Sequence, residues 1–414
     1  MQNFDKNLLI NKSEKKVSEI FHEMELIRDI NQEKVLSAFQ DNRVGEEHFY
    51  TVSGYGHDDI GRDIIDKIYA QVFNTEAAVV RNHFVSGTHA LACVFFGNLR
   101  HGDKLLSVAG RPYDTLEEVI GLRGNEKSSL RGHGVEYGEV PLKNDSEVDF
   151  EELEKAVDEK TAMAFIQRSR GYSLRKPIDI ETIAEITGIV KKKNPECICF
   201  VDNCYGEFTE ALEPTDIGAD IVAGSLIKNP GGGIVETGGY IAGREEYVKL
   251  AADRLTAPGI GAKGGAMLNQ SRLILQGLFM APSVVHESLK GAVLTSQVFL
   301  DHGYKTMPLP DEVRTDIIQA IVFDDREKLI NFCKTVQYFS PVDSYLTPVP
   351  DTVPGYEDEI IMAAGTFIEG STIELSADGP LREPYVAYMQ GGLNYAHVKL
   401  ALNGILDKLY TRMS

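Results

Sequence analysis

Residues 219–233 read ADIVAGSLIKNPGGG, and this stretch decides how the rest of the chain is interpreted. Its first residues form a short apolar run that predicts a β-strand ending just before Ser225. An isolated lysine, Lys228, follows, and three glycines occupy positions 231–233. Because glycine gives up side-chain packing, such a run indicates a tight turn or a ligand close to the backbone. The stretch therefore predicts a lysine presented at a strand end.

Upstream of this stretch, strands and helices alternate over roughly two hundred residues, which is typical of an α/β fold with a largely parallel sheet. An amphipathic helical arm precedes that region, with Ser13 as its predicted N-cap. A smaller α+β domain follows it. We predict a helical arm at 1–54, a large α/β domain at 55–300 and a small C-terminal domain at 301–414.

Polar side chains come directly after five predicted strands. Ligands of parallel α/β folds gather at the carboxyl ends of the strands, so we expect these side chains to meet at one site. The five residues are Ser86, Tyr113, Gln167, Asp202 and Ser225.

The chemistry of these residue types suits pyridoxal phosphate (PLP). Lys228 can form a Schiff base with its aldehyde, and the carboxylate of Asp202 can keep its ring nitrogen protonated. The Ser225 hydroxyl can donate to its phosphate, and the Tyr113 ring can stack on its pyridine face. The segment 86–88 begins a predicted helix, whose free N–H groups suit an anion.

Each residue also has an ordinary structural interpretation. Lys228 could be a solvated loop lysine, Asp202 a turn cap, Tyr113 a rim tyrosine and Ser225 a plain loop serine. For Ser86, an N-cap without any ligand is an equal alternative. The ordered appearance of all of them at successive strand ends favours a PLP site.

The composition limits the other classes of partner. The chain has 414 residues, with 42 basic and 62 acidic side chains and a net charge of −20, which argues against nucleic acid or an anionic membrane. No secretory signal or membrane-length apolar run is present in the sequence. Five cysteines without paired C-x-x-C spacing predict buried, reduced thiols, no metal site and a cytoplasmic location.

Several motifs together resemble a known family. The chain is similar to the fold-type-I PLP enzymes, to the cystathionine β/γ-lyase group within them, and to the bacterial methionine γ-lyase-like or aluminium-resistance proteins. The likeness covers essentially the whole chain. The motifs are SGTHA at 86–90, RPYDT at 111–115, VDNCYGEF at 201–208, GSLIKNPGGG at 224–233, YGHDDIGRD at 55–63 and ELSADGPLREPY at 374–385.

The resemblance implies roles for individual residues. Lys228 would bind PLP and move protons, with Asp202 on the ring nitrogen and Tyr113 stacked on the ring and active in proton transfer. The segment 86–88 would bind the phosphate through the N–H groups of Gly87 and Thr88. The Ser225 hydroxyl would bind it as well. Tyr55 would reach the phosphate bound by a neighbouring subunit, which implies at least a homodimer, and a homotetramer is the expected assembly.

Three positions depart from the family's pattern or leave a choice open. The phosphate arginine expected beside Tyr55 is absent, and Arg62 is an open alternative. Arg382, in a different local sequence, is the candidate for the substrate α-carboxylate. At the strand end around 167–170, the residue that would contact the cofactor is Gln167, Arg168, Ser169 or Arg170.

The function expected from the resemblance is elimination of a thiol from a sulfur amino acid of the cystathionine, methionine or cysteine type. The alternative within the same fold is an aminotransferase, a decarboxylase or a desulfurase. Cys333 would be the candidate nucleophile of a desulfurase, but its position in a predicted helix favours a buried structural cysteine. The alternative from another class is a non-catalytic binding or metal-resistance protein.

Overall fold

The computed structural model describes residues 6–124, 126–352 and 358–411, and its strands form two sheets. The first sheet has seven strands, in the order β1-β7-β6-β5-β4-β2-β3. Strand β7 runs antiparallel to both of its neighbours, while the pairs among β2 to β6 are parallel. The strands are β1 (Ala77–Arg81), β2 (Lys104–Ser107), β3 (Glu136–Glu139), β4 (Thr161–Gln167), β5 (Ile198–Asp202), β6 (Ile221–Ser225) and β7 (Gly239–Gly243).

The second sheet is antiparallel throughout and has the order β10-β11-β12-β9-β8. The predicted α/β class, with a mostly parallel sheet and a smaller α+β part, is confirmed. The strands are β8 (Lys305–Met307), β9 (Ile318–Val322), β10 (Ile360–Ala363), β11 (Ser376–Pro380) and β12 (Val386–Gln390).

Helices cover the sheets and connect them. The longest, α9, has 32 residues and separates the two sheets along the chain, close to the predicted domain boundary at 300. The helices are α1 (Lys6–Lys16), α2 (Ser18–Asp41), α3 (Ile60–Val72), α4 (Gly87–Asn98), α5 (Asp114–Ile120), α6 (Phe150–Ala156), α7 (Ile180–Lys193), α8 (Glu245–Leu255), α9 (Gln270–Asp301), α10 (Arg326–Tyr338) and α11 (Tyr395–Thr411).

The central strands of the first sheet are apolar because helices cover both of their faces. Every residue of β5 is buried, as is every residue of β6. Parallel strands enclosed on both faces lose the alternation of apolar and polar residues that marks half-exposed strands. The carboxyl ends of β5 and β6 are thereby fixed side by side, and these ends carry Asp202 and Ser225.

The N-terminal arm consists of two helices that pack on their own chain. The predicted N-cap Ser13 is wrong, because it lies inside α1, where its hydroxyl donates to Asp301 at 2.8 Å. In α2, the buried Asn31 donates to the carbonyl of Glu210 at 2.9 Å. The arm thus holds the loop that follows β5 and the end of α9, and so supports the elements that carry the strand-end residues.

Candidate active site

A pocket of about 370 Å³ lies at the carboxyl ends of β4, β5 and β6. The first sheet, the N-terminus of α4 and three strands of the second sheet all contribute to its lining. All the residues predicted to hold the cofactor within one subunit line it together: Ser86, Gly87, Thr88, Tyr113, Asp202, Ser225 and Lys228.

Lys228 is half-buried in this pocket, three residues after the end of β6. Its Nζ lies 4.0 Å from the centroid of the Tyr205 ring. Burial acts against the charge of Lys228, but the acidic groups of Cys204, Tyr205 and Asp202 outweigh it and raise the pKa of the amine. The direction of this pKa shift favours the charged form of the amine.

The glycines after Lys228 allow a helix to approach the loop closely. A side chain at Gly231 would lie 1.8 Å from the carbonyl oxygen of Leu226, and one at Gly232 would lie 2.5 Å from that of Gly277 in α9. Gly232 also has a φ of 54°, in the left-handed region that glycine tolerates. The glycine run therefore forms a tight turn packed against α9, with Lys228 on its pocket side.

Asp202 is buried at the end of β5, and its Oδ1 accepts the N–H of Cys204 at 3.1 Å. Burial raises the pKa of this carboxyl, while the positive charge of Lys228 acts in the opposite direction. Strands β5 and β6 are neighbours, so the acid and the lysine loop share one edge of the sheet. The pocket thus has an amine and a buried carboxyl at the same edge of the sheet.

The N-terminus of α4 faces the same space. Ser86 is the N-cap, and its hydroxyl accepts the N–H of His89 at 3.1 Å. The N–H groups of Gly87 and Thr88 precede the first intrahelical hydrogen bonds, so they are free to bind an anion. A side chain at Gly87 would lie 3.2 Å from Cβ of Ser225. The helix end and Ser225 therefore lie side by side and form one cradle of N–H and hydroxyl donors.

Tyr113 closes another side of the pocket. Its N–H donates to Oε1 of Gln167 at 2.9 Å, and its hydroxyl is 3.2 Å from Oγ1 of Thr88. Burial raises the pKa of the phenol. Of the four residues at 167–170, Gln167 and Ser169 line the pocket, whereas Arg168 donates to Asn203 and Arg170 to the carbonyl of Met307.

Three predicted residues lie outside the pocket lining. Tyr55 has 82 % of its surface exposed. Arg62 is buried and donates to the carbonyl of Gly56 at 2.6 Å, so it holds the loop that carries Tyr55. Arg382 is exposed in the turn between β11 and β12 and donates to Asp358 at 3.0 Å.

The sequence analysis missed the residues that the second sheet brings to the pocket. Gln390 of β12 donates to the Tyr205 hydroxyl at 3.2 Å, and that hydroxyl donates to the carbonyl of Ser371 at 3.1 Å. Tyr172, Asp378 and Tyr388 also line the pocket. Tyr205 could have been found, because it follows Asp202 in the motif VDNCYGEF, and Tyr172 lies in the loop after β4. Asp378, Tyr388 and Gln390 depend on the register of β11 and β12.

Known proteins resemble this chain in both sequence and fold. The sequence profile of the family described as methionine gamma-lyase matches residues 6–410. The chain belongs to the methionine gamma-lyase family. This match confirms the predicted resemblance, the lyase class and the PLP cofactor.

Solved structures agree over nearly the full chain. A carbon–sulfur lyase involved in aluminium resistance from Clostridium novyi NT is 49% identical, covers 98% of this chain and 96% of its own, and has a TM-score of 0.94. A candidate cystathionine beta-lyase involved in aluminium resistance from Listeria monocytogenes is 48% identical, covers 97% and 99%, and has a TM-score of 0.95. The PLP-dependent protein YhfS from Escherichia coli, 15% identical over 93% and 97% with a TM-score of 0.63, shares the fold.

The described residues show neither a membrane-spanning helix nor a metal-binding cluster. No helix among them combines the length and the apolar character needed to cross a bilayer. Within the same ranges, no group of three or more His, Cys, Asp or Glu side chains is arranged to hold a metal ion. Cys333 is buried in α10, outside the pocket lining.

Proposed function

We propose that this methionine gamma-lyase family member is a carbon–sulfur lyase that removes a thiol from a sulfur amino acid of the cystathionine, methionine or cysteine type. The observation that carries the proposal is the meeting of Lys228, Asp202, Ser225 and the N-terminus of α4 around one pocket. The same pocket has room beyond these groups for an amino-acid side chain.

The residues present fit PLP. Lys228 would hold it covalently, and the buried Asp202 would pair with its ring nitrogen. The N–H groups of Gly87 and Thr88 and the hydroxyl of Ser225 would bind its phosphate. When bound, PLP supplies an electron sink that stabilises negative charge on the substrate Cα. The side chains around it determine where protons go.

Proton transfer falls to Lys228. As a free amine, the Nζ of Lys228 would take the proton from the substrate Cα. The acidic surroundings that raise its pKa favour the protonated amine, so the proton stays at Nζ until it is passed on. Tyr113, linked to Thr88, is the second group proposed for proton transfer. The net reaction consumes one water and releases a thiol, ammonia and a keto acid.

The α-carboxylate partner and the assembly are also proposals. Arg382 lies within electrostatic reach of Asp114 and Tyr388, two residues of the pocket lining, which supports its proposed role at the pocket mouth. The exposure of Tyr55 supports its proposed contact with a neighbouring subunit's phosphate site, in a homodimer or a homotetramer. A cytoplasmic location stays a prediction.

A spectrum and a thiol assay test the activity. The purified protein should carry an absorbance band from bound PLP and should release thiol from one of the three substrate types. Lys228→Ala should abolish thiol release, while the exposed Lys249→Ala should behave like the native protein. Amino transfer that depends on an added keto acid, without thiol release, would mean that the protein is an aminotransferase and not a lyase. A colourless protein that PLP cannot reconstitute would favour a binding protein.

Mixing two inactive variants tests the role of Tyr55. Tyr55→Ala keeps Lys228, and Lys228→Ala keeps Tyr55, so a hybrid dimer contains one site with both residues intact. We expect the mixture to regain activity after dissociation and reassembly. Absence of any regain, with hybrids verified by mass spectrometry, would mean that Tyr55 does not act across subunits.

A further inference from the structure

A buried carboxyl group in the pocket has no assigned role. Asp378 of β11 is 6 % exposed, lines the pocket and is paired in register with Tyr388 of β12. The Tyr172 hydroxyl forms a hydrogen bond with its carboxyl. A carboxylate offers about four acceptor positions, and a single hydroxyl satisfies one of them. Asp378 therefore keeps acceptor capacity that faces the pocket.

The surroundings of Asp378 suit a positive charge. The rings of Tyr172 and Tyr388 lie 5.3 Å apart at 43°, beside the carboxyl, and aromatic faces attract cations. In the described part of the chain, no ion pair involves Asp378, and Lys228 is the only lysine or arginine in the pocket lining.

A buried carboxylate without a cation is costly, since it has lost its hydration and gained no counter-charge. A ligand ammonium would supply that charge, together with hydrogen bonds to the free oxygen positions. An apolar ligand group of the same size would leave the carboxyl unpaired, and sites of this kind discriminate strongly against such analogues.

We propose that Asp378, Tyr172 and Tyr388 form a subsite for a second cationic nitrogen of the substrate, so that the preferred thioether amino acid carries an ammonium group at its far end. We call this group of three residues the Asp378 subsite. The inference rests on the proposed lyase function and adds a substrate class to it.

A pair of equal-sized substrates tests the subsite. S-(2-aminoethyl)-L-cysteine and S-propyl-L-cysteine differ only in a terminal ammonium or methyl group. For the native holoenzyme, we expect kcat/KM to favour the aminoethyl compound by at least about tenfold. Asp378→Asn should remove that preference while retaining cleavage of the propyl compound. Glu369→Gln changes an exposed carboxylate of the same lining and should keep the preference.

Ligands that cannot be cleaved separate this inference from the proposed function. L-Lysine and L-2-aminoheptanoate have the same length, the same α-amino acid head and no leaving group, so calorimetric titration of the holoenzyme compares their binding without thiol release. Native protein should bind lysine more tightly, and Asp378→Asn should bind both equally. If lysine preference depends on Asp378 but neither thioether is cleaved, the lyase proposal fails and the subsite stands.

The opposite result overturns the subsite. If both thioethers are cleaved equally well, or if the preference survives in Asp378→Asn, Asp378 has only a structural role. Should Asp378→Asn fail to fold, Tyr388→Leu decides instead, because it removes one aromatic face and leaves the carboxyl. We expect Tyr388→Leu to reduce the preference several-fold, and an unchanged preference would reject the inference.

Discussion

The two sheets contribute to the pocket in different ways. The first sheet presents Asp202 and Ser225 at the ends of neighbouring parallel strands, with Lys228 just beyond. The second sheet presents Asp378 and Tyr388 from the middle of an antiparallel pair. The first group suits the chemistry common to PLP enzymes, whereas the second suits selection of one substrate. With the proposed roles, reaction and selectivity are divided between the two sheets.

The largest effect in this comparison is expected at Asp202. Asp202→Asn removes the negative charge proposed to face the ring nitrogen, so cleavage of every thioether should fall by about a thousandfold, or about 4 kcal/mol. Steady-state kinetics with the aminoethyl and propyl compounds measures this fall. The two substrates should be affected equally, in contrast to Asp378→Asn. A loss confined to one substrate would contradict the division between the sheets.

A smaller effect is expected at the cradle formed by the N-terminus of α4 and Ser225. Gly87→Ala would place a methyl group 3.2 Å from Cβ of Ser225 and 3.3 Å from Sγ of Cys204, which separates the helix end from β6. We expect PLP affinity to fall by about tenfold, as measured by titration of the apoprotein. Gly188→Ala is the matched control, since nothing lies within 4 Å of its added carbon in α7. Equal PLP affinity in the two variants would speak against the cradle.

The sequence revealed the first group because of a rule of parallel sheets. Asp202 and Ser225 each follow a buried run, and successive parallel strands end at the same edge. The family's motifs agreed with that arrangement. No comparable rule predicts where Asp378 and Tyr388 lie. The sequence analysis recognised the segment 374–385 but left the partner strand β12 unidentified, so the register that pairs Asp378 with Tyr388 could not be deduced.

Local packing explains the other differences. The glycine run predicted either a turn or a ligand, and only the position of α9 shows that Gly232 accommodates a helix. Strand β3 was missed, because its residues Glu136–Glu139 are exposed or half-buried and lack an apolar run. Ser13 precedes charged residues as an N-cap would, yet α1 begins seven residues earlier. Short-range patterns identify element types better than they locate boundaries.

The pH dependence of selectivity sharpens the comparison further. Burial raises the pKa of Asp378 to about 7, although the hydrogen bond from Tyr172 acts in the opposite direction. Only the ionised carboxylate attracts an ammonium, so the preference for the aminoethyl compound should rise with pH and level off above about 7. The ratio of the two kcat/KM values across pH 6 to 9, roughly, measures this.

Other groups that face Asp378 should not produce that rise. They are Tyr172 after β4, Tyr205 after β5, Cys333 of α10 and Tyr388 of β12. Burial raises the pKa of Cys333 well above its usual value and that of Tyr388 to about 12. A preference that is flat with pH, or that falls as pH rises through 7, would argue against Asp378 as the titrating group.

The smallest effect is expected at Tyr205, whose hydroxyl links the loop after β5 to the second sheet. Tyr205→Phe removes the hydroxyl that donates to Ser371 and accepts from Gln390, but it keeps the ring beside Lys228. The free energy of unfolding should fall by about 1 kcal/mol, measured by denaturant titration. Tyr205→Leu also removes the ring and should change the spectrum of bound PLP. Unchanged stability in Tyr205→Phe would show that this contact does not join the two sheets energetically.

The most direct test of the account identifies the amine that holds the cofactor. Borohydride reduction of the holoenzyme fixes PLP to its lysine, and peptide mass spectrometry then locates the added mass. The account predicts a single labelled site at Lys228, within the peptide that contains GSLIKNPGGG. Label on another lysine, or a protein that takes up no label after incubation with PLP, would contradict it.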